Sequence, residues 1–420
     1  MEDEVHNHPD RLARGGSPHE SALRLFREQH ILSGAVEVEH RNVLIAVDVV
    51  DSALLFGHFA LLASLPKLRG SPWHQTNRLV SLWGCALVTR NFVGVPALAR
   101  SFRFACQAYA PSSRTDWLDT ARRAEDLGYS TLHLADHYFG PGPALEEARH
   151  PLQTVAAIPA MMSAAGVTES LRIGCRVLCI DYHHPVVLAK ELATIDLLSD
   201  GRLEPGFGAG WVTSEYEALG IPMEPPGVRI ERLVETVELV RAFFLGAELS
   251  FHGSHVTARN MCAVPASVQP EGPRIMVGGG SPRVLRAAGR LADIVSLNFD
   301  NSSGQIGSEG VRSGASDQTM RKIEWVREGA QDRFENLEIE IGAYFTSVTE
   351  QAQSSTEQVA QRLGVTSDEL RDHPHVLIGS VAEIVEALEA QREIYGISYV
   401  TVGASVLEEF APVVARLAGQ

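Results

Sequence analysis

The chain has 420 residues, 45% hydrophobic and 21% charged, enough to bury a large core and too apolar overall for a disordered protein. A formal net charge of -16 argues against a nucleic-acid partner and fits an acidic cytoplasmic protein. Five cysteines (Cys85, Cys106, Cys175, Cys179 and Cys262) form no CxxC pair, so neither a disulfide framework nor a metal site is expected. Cys175 and Cys179 are separated by roughly 13 Å if they share a strand, and all five read as small core thiols.

Residues 1–100 behave differently from the rest. They hold ten Lys plus Arg and ten Asp plus Glu, so the whole negative excess lies in 101–420, and no βα alternation runs through them. Val43 to Leu65 is apolar, but Asp48, Asp51 and His58 interrupt it. Each central Asp would cost about 2.5–3.5 kcal/mol in a bilayer, so no membrane span is expected. The acidic start, Glu2-Asp3-Glu4, is not that of a secretory signal. The segment reads either as a loosely structured extension with short helices at 18–30 and 43–65, or as a mis-called start. No Met stands between Met1 and Met161, so a later start would need another codon, and the functional enzyme is expected to begin near residue 100.

From Ser101 onward strand and helix alternate, which predicts a parallel sheet wrapped by helices. Candidate strands are Phe102 to Tyr109, Thr131 to Asp136, Arg172 to Ile180, Arg202 to Phe207, Arg274 to Gly278, Ile294 to Phe299, Leu337 to Val348 and Ser398 to Val402. Eight such strands close a TIM-type (β/α)8 barrel, an α/β fold. Thr115 can cap the first helix, and Ser380 with Glu383 forms a capping-box pattern. The segment 247–273, rich in Pro, Gly and His, is an excursion between helix 4 and strand 5, expected to wall a substrate pocket.

The run from Arg172 to Gly220 is the densest in signals. Pro185 opens an apolar-periodic helix that stops at Asp200-Gly201. Pro205 within strand 4 removes a ladder donor and predicts a kink or bulge. Gly206, Gly208 and Gly210 then leave a strand end with almost no side-chain bulk, where a flat ring could lie against the backbone of Gly208, Ala209 and Gly210. Barrel chemistry sits at the C-terminal strand ends, where Asp136 and His137 follow strand 2. His137 is the leading catalytic candidate, as acid/base or hydrogen-bond donor, with Asp136 orienting it or touching a cofactor. His133, deeper in that strand, reads as a satisfied core residue. In Gly278-Gly279-Gly280-Ser281-Pro282 the glycines expose backbone N–H groups and Ser281 can cap the next helix, which makes this the phosphate candidate. Arg283 and Arg286 could support the same anion.

Four motifs carry a family resemblance: ARRAEDLGYSTLHLADH (121–137), HPVVLAKELATIDLLSDGRLEPGFGAGW (184–211), EYEALGIP followed by PPGVRIERLVETVELVR (215–241), and RIMVGGGSPRVLRAAGRLADIV (274–295). The chain from about 102 to 420 resembles the luciferase-like monooxygenase superfamily, and the PPGVR and GGGSPRVL segments are most similar to its coenzyme F-420 (deazaflavin) oxidoreductases. The resemblance implies an essential His at His137 and a bulge with a non-prolyl cis peptide at Arg176 to Val177, whose backbone faces the cofactor ring. It also implies phosphate binding at Gly278 to Ser281, a small-molecule substrate and a homodimer. Where that family commonly has a small residue, Arg176 stands here, so either its side chain reaches a phosphate or substrate carboxylate, or the bulge differs.

Trp211 stands where related sugar-phosphate dehydrogenases carry an acidic residue, which points away from that substrate class and toward an apolar or aromatic wall. Glu215, at a helix start, could supply a proton, although a surface role is the commoner one there. The sequence therefore predicts hydride transfer between reduced F-420 and a small organic substrate. An FMN-dependent two-component monooxygenase and a non-catalytic flavin-binding barrel are the alternatives.

Overall fold

The computed structural model describes residues 100–420. The expected short helices at 18–30 and 43–65, the membrane question at 43–65, the late start and Cys85 all lie outside the described residues. Eight strands are hydrogen-bonded in parallel into a closed barrel: β1 (Arg103–Gln107), β2 (Thr131–Leu134), β3 (Arg172–Cys179), β4 (Leu203–Gly208), β5 (Met276–Gly279), β6 (Ile294–Leu297), β7 (Glu338–Ala343) and β8 (Ile397–Gly403). Each pairs with the next in sequence and β8 closes on β1, with Arg103 opposite Tyr399, which is the TIM-type (β/α)8 order. β2, β4, β6 and β7 are buried along their whole length, as strands between a filled interior and a helical coat must be.

The helices start and stop by local chemistry. Helix Arg114–Asp126 is capped by Ser113, whose side chain accepts the Asp116 N–H, one turn-start earlier than the Thr115 expected. Helix Pro185–Leu198 opens on its proline, and Ser380 with Glu383 makes both bonds of a capping box before Val381–Tyr395. Among the described residues no helix is long and apolar enough to cross a membrane. Cys106 and Cys175 are buried and free, as core thiols should be, but Cys262 is exposed.

Two further corrections concern the strands. The stretch expected to run from Leu337 to Val348 breaks at Tyr344, and Phe345–Val348 leaves the barrel to pair with Val376–Gly379. The segment 247–273 contains an antiparallel hairpin, Glu248–His252 with Thr257–Cys262. Its turn is fixed by Glu235 of helix Pro226–Phe244, whose carboxylate accepts the N–H groups of Ser254, His255 and Val256 at 2.7, 2.7 and 2.8 Å. Beyond the hairpin, Ser267, Val268 and Gln269 bond to Asp196, and Gln269 reaches the Leu203 carbonyl where β4 begins. The excursion is thus anchored at the start of β4 and along helix Pro226–Phe244, where His255 also reaches Glu231.

The barrel interior is layered. At the floor, Arg103 lies 2.8 Å from Glu204 and 2.7 Å from Glu338, with its guanidinium 3.5 Å from the centroid of the Tyr399 ring. Arg274 also pairs with Glu338 at 2.7 Å, while the Tyr399 hydroxyl donates to Glu204 and is held by His133 Nε2, both at 2.8 Å. Burial opposes the charge on Arg103, but Glu204 leads the groups that outweigh it, and its pKa is raised. Burial presses the His133 pKa well down; this ring is buried in the core and bonded to Tyr399 through Nε2, while its Nδ1 has no side-chain partner among the described residues. Ala105, Met276 and Ile294 cluster with Tyr399 beside this network, with Val177 packed on them.

Candidate active site

Beyond β2 the chain leaves the barrel as Ala135-Asp136-His137, at the end where the strand carbonyls point. Asp136 is buried; its Oδ2 accepts the Cys179 N–H at 3.0 Å and lies 2.8 Å from His183 Nε2. Its Oδ1 is buried with no partner among the described residues. His137 Nδ1 lies 2.7 Å from Glu215 Oε2. The Tyr138 N–H (2.6 Å) and the Tyr182 hydroxyl (3.0 Å) also donate to that carboxylate. An ionised carboxylate only accepts, so the proton of the pair sits on Nδ1 and leaves Nε2, which makes no hydrogen bond among the described residues. Glu215 itself is fully buried, on a first helical turn where Ser214 and Tyr216 are buried too. It stands behind His137, away from solvent, and the surface reading of a helix-start Glu is corrected.

Rings surround His137. Phe139 stacks on it at 5.5 Å and 18°, His150 lies at 4.0 Å and Trp211 meets it edge-on at 6.3 Å. His150 in turn contacts Trp211 at 6.0 Å and Tyr109 at 6.0 Å. Burial, with His137 beside it, pushes the His150 pKa down to about 3. Sequence reasoning missed His150 and Tyr182. Both lie in loops after barrel strands, on the side where the fold places its chemistry, and that position was the available signal.

The glycine row lies against side chains of this chain. The Arg176–Val177 peptide is cis, and the β3–β4 register shifts between Cys175 and Leu178, opposite Pro205, so the irregularity falls on β3 and β4 runs unbroken. Val177 projects onto the glycines: a Cβ at Gly208 would lie 2.6 Å from its Cγ2, and Cβ atoms at Gly206 and Gly278 would lie 3.1 and 3.0 Å from its Cγ1. A Cβ at Gly210 would run into the Tyr216 hydroxyl. Glycine at these positions therefore lets Val177 and Tyr216 approach the strand end closely. The Ala209 carbonyl is held by Arg229 at 2.9 Å, and Arg229 also bonds to the Gly210 carbonyl.

Gly279 and Gly280 allow close approach of Val284 and of the Phe299 carbonyl. Ser281 occupies the N-cap position of helix Pro282–Leu291, but its side chain makes no cap bond. Arg283 and Arg286 are exposed and paired with Glu231 and Glu328, both at 2.6 Å.

Arg176 turns into the barrel. Its Nε lies 2.9 Å from Glu340, Nη2 2.9 Å from Asn298 and Nη1 3.1 Å from the Tyr344 hydroxyl. Burial lowers its pKa, Glu340 and Tyr344 raise it, and the balance is upward. The side chain is thus neutralised from within, which answers against its reaching a phosphate or carboxylate. Among the described residues no group of three or more His, Cys, Asp or Glu is placed to hold a metal ion.

The family profile described as luciferase-like monooxygenase matches residues 98–397. An uncharacterised protein of Mycobacterium tuberculosis (strain H37Rv) is 32% identical over 185 residues, 41% of this chain and 64% of that protein. A protein of Amycolatopsis mediterranei named as an F-420-dependent glucose-6-phosphate dehydrogenase is 30% identical over 182 residues, 42% of this chain and 51% of its own length. The chain thus spans about half to two thirds of the length of these relatives. Among solved structures, an F-420-dependent secondary alcohol dehydrogenase in complex with an F-420–acetone adduct superposes with a TM-score of 0.60 at 18% identity, covering 76% of this chain and 99% of that one.

Proposed function

The chain belongs to the luciferase-like monooxygenase family, and from that membership we propose that it is a cytoplasmic, homodimeric oxidoreductase transferring a hydride between reduced coenzyme F-420 and a small organic substrate. Residues 101–420 are the catalytic unit in this reading. One observation supports it above the others: His137 offers a free Nε2 at the barrel mouth while a fully buried carboxylate, Glu215, holds its Nδ1. Beside it, the unpartnered Oδ1 of Asp136 is a buried acceptor that fits a cofactor bringing an N–H donor.

When bound, the deazaflavin supplies two-electron hydride chemistry without oxygen activation. Asp136 and the backbone at Arg176, Val177, Gly208, Ala209 and Gly210 would hold its ring side, and Gly278, Gly279, Gly280 and Ser281 its phosphate, at a helix N-terminus that no side chain caps. A bare Nε2 would accept the substrate's proton when hydride goes to the cofactor; in the reverse direction His137 would have to be the imidazolium, which gives the proton from Nε2, and in both Glu215 holds Nδ1 and the ring orientation. The naming of curated relatives favours F-420. The family's description as monooxygenases keeps FMN with a separate reductase as the second reading.

The test is a titration of the full chain with oxidised F-420 and, separately, FMN, followed by fluorescence. Micromolar or tighter F-420 with much weaker FMN is expected. The reverse order would overturn the deazaflavin reading in favour of FMN, and binding of neither would sink both. Cofactor retained without turnover in the wild-type chain would point to the non-catalytic barrel, and turnover unchanged in His137→Ala would remove His137 from the proton step.

A further inference from the structure

We propose that the Nε2 edge of His137 opens on a subsite for an uncharged, ring-shaped substrate, walled by Trp211, His150 and Tyr109, which rejects phosphorylated sugars. The inference deepens the hydride-transfer reading and rests on it for the identity of the site. Its first support is shape and chemistry. Tyr109, His137, His150 and Trp211 are all half-buried, so each keeps part of its ring open, and they are in mutual contact at 4.0–6.3 Å. Such rings reward a flat apolar ligand by area and by edge or stacked contacts.

The second support is the charge around them. Among the described residues no Lys or Arg is hydrogen-bonded to any of these rings, and no guanidinium lies over the faces of Phe139, His150 or Trp211. His150, pushed down to about 3, is neutral at physiological pH. Arg176 is spent on Glu340, Asn298 and Tyr344. Arg149, next to His150, is solvent-exposed at a left-handed helix end. The fixed charge behind His137 is the carboxylate Glu215, of the same sign as a phosphate. A phosphate dianion would leave its water for a place where, among the described residues, the cation felt by Tyr109, Arg176, is already paired with Glu340, and that transfer is strongly unfavourable. The relative named for glucose 6-phosphate is therefore not expected to pass on its substrate, and Trp211 stands where the resemblance implies an acidic residue in that class.

Saturation-transfer NMR on the full chain, with and without F-420, tests this with acetophenone as the uncharged ring and glucose 6-phosphate as the anion. Acetophenone is expected to receive saturation and glucose 6-phosphate none at equal concentration. Trp211→Ala should weaken acetophenone about tenfold and Trp211→Phe by no more than about twofold. Should Trp211→Ala lose its circular-dichroism spectrum, Trp211→Leu decides in its place. Displacement of acetophenone by glucose 6-phosphate, absence of acetophenone binding, or wild-type affinity in folded Trp211→Ala would each overturn the proposal. If acetophenone binds through Trp211 while F-420 does not bind at all, the subsite stands and the deazaflavin assignment falls.

Discussion

Gly208→Ala tests whether the glycines of β4 and β5 are there for Val177. The added methyl would sit 2.6 Å from Val177 Cγ2, well inside ordinary contact, and rotating Val177 offers little relief because Gly206 and Gly278 flank its other methyl. Overpacking of this kind costs about 1–3 kcal/mol. Val177→Ala alone, removing two methyl groups from a half-buried position, should cost about 1 kcal/mol. In the double variant the clash is gone, so its stability should match Val177→Ala alone, with a coupling energy of about 2 kcal/mol. Guanidinium unfolding followed by Trp fluorescence measures all four proteins. Gly206→Ala is the control: its methyl meets the Cys175 carbonyl, which is backbone, so Val177→Ala should not rescue it. The reasoning fails if Gly208→Ala costs nothing, or costs as much in the Val177→Ala background as in the wild type.

Glu215→Gln should move the proton of His137 from Nδ1 toward Nε2, visible in the imidazole nitrogen shifts of labelled protein, and lower turnover by about 10–100-fold. An unchanged tautomer would remove Glu215 from its positioning role. Burial lowers the Lys322 pKa from 10.5 to about 8, outweighing the opposing pull of Asp300. A depressed base means the unfolded chain binds more protons between about pH 8 and 10.5, so this residue makes stability rise with pH across that window. Against wild type, Lys322→Met should remove that rise and gain up to about 3 kcal/mol near neutral pH, less the lost bond to the Asn298 carbonyl; parallel melting curves from pH 7 to 10 would show it. Finally, a fragment of residues 96–420 should bind F-420 within about threefold of the full chain, and an insoluble or non-binding fragment would refute 101–420 as the catalytic unit.

The barrel was legible because eight apolar runs alternate with helices whose ends carry Pro, Gly and capping residues, and these local signals agree with one another. What escaped was set by tertiary contacts. The hairpin of 248–262 is short and largely exposed, and its turn is held by Glu235 from a distant helix. Nothing in the order of residues near Glu215 announces that its carboxylate is buried against a loop 77 positions earlier. Asp136 and His137 could be nominated from their place at a strand end, yet their partners His183, Tyr182 and Glu215 come from the next two βα loops. The row of glycines was visible, but that Val177 packs on it depends on the register of β3, which composition does not show.

The charged floor of the barrel bears on how the ring of strands closes. Arg103 of β1 joins Glu204 of β4 and Glu338 of β7, partners 101 and 235 residues away, and Tyr399 of β8 links the same cluster to His133 of β2. The full network forms only when strands of both halves of the barrel have met: a half-assembled barrel would hold Arg103 and Glu204 as a pair without Glu338 or Tyr399. A buried polar network that is only partly satisfied is costly, so partial assemblies are disfavoured and closing the ring is favoured. The floor acts as a latch: it adds little holding force of its own, but it makes the open ring the wrong place to stop.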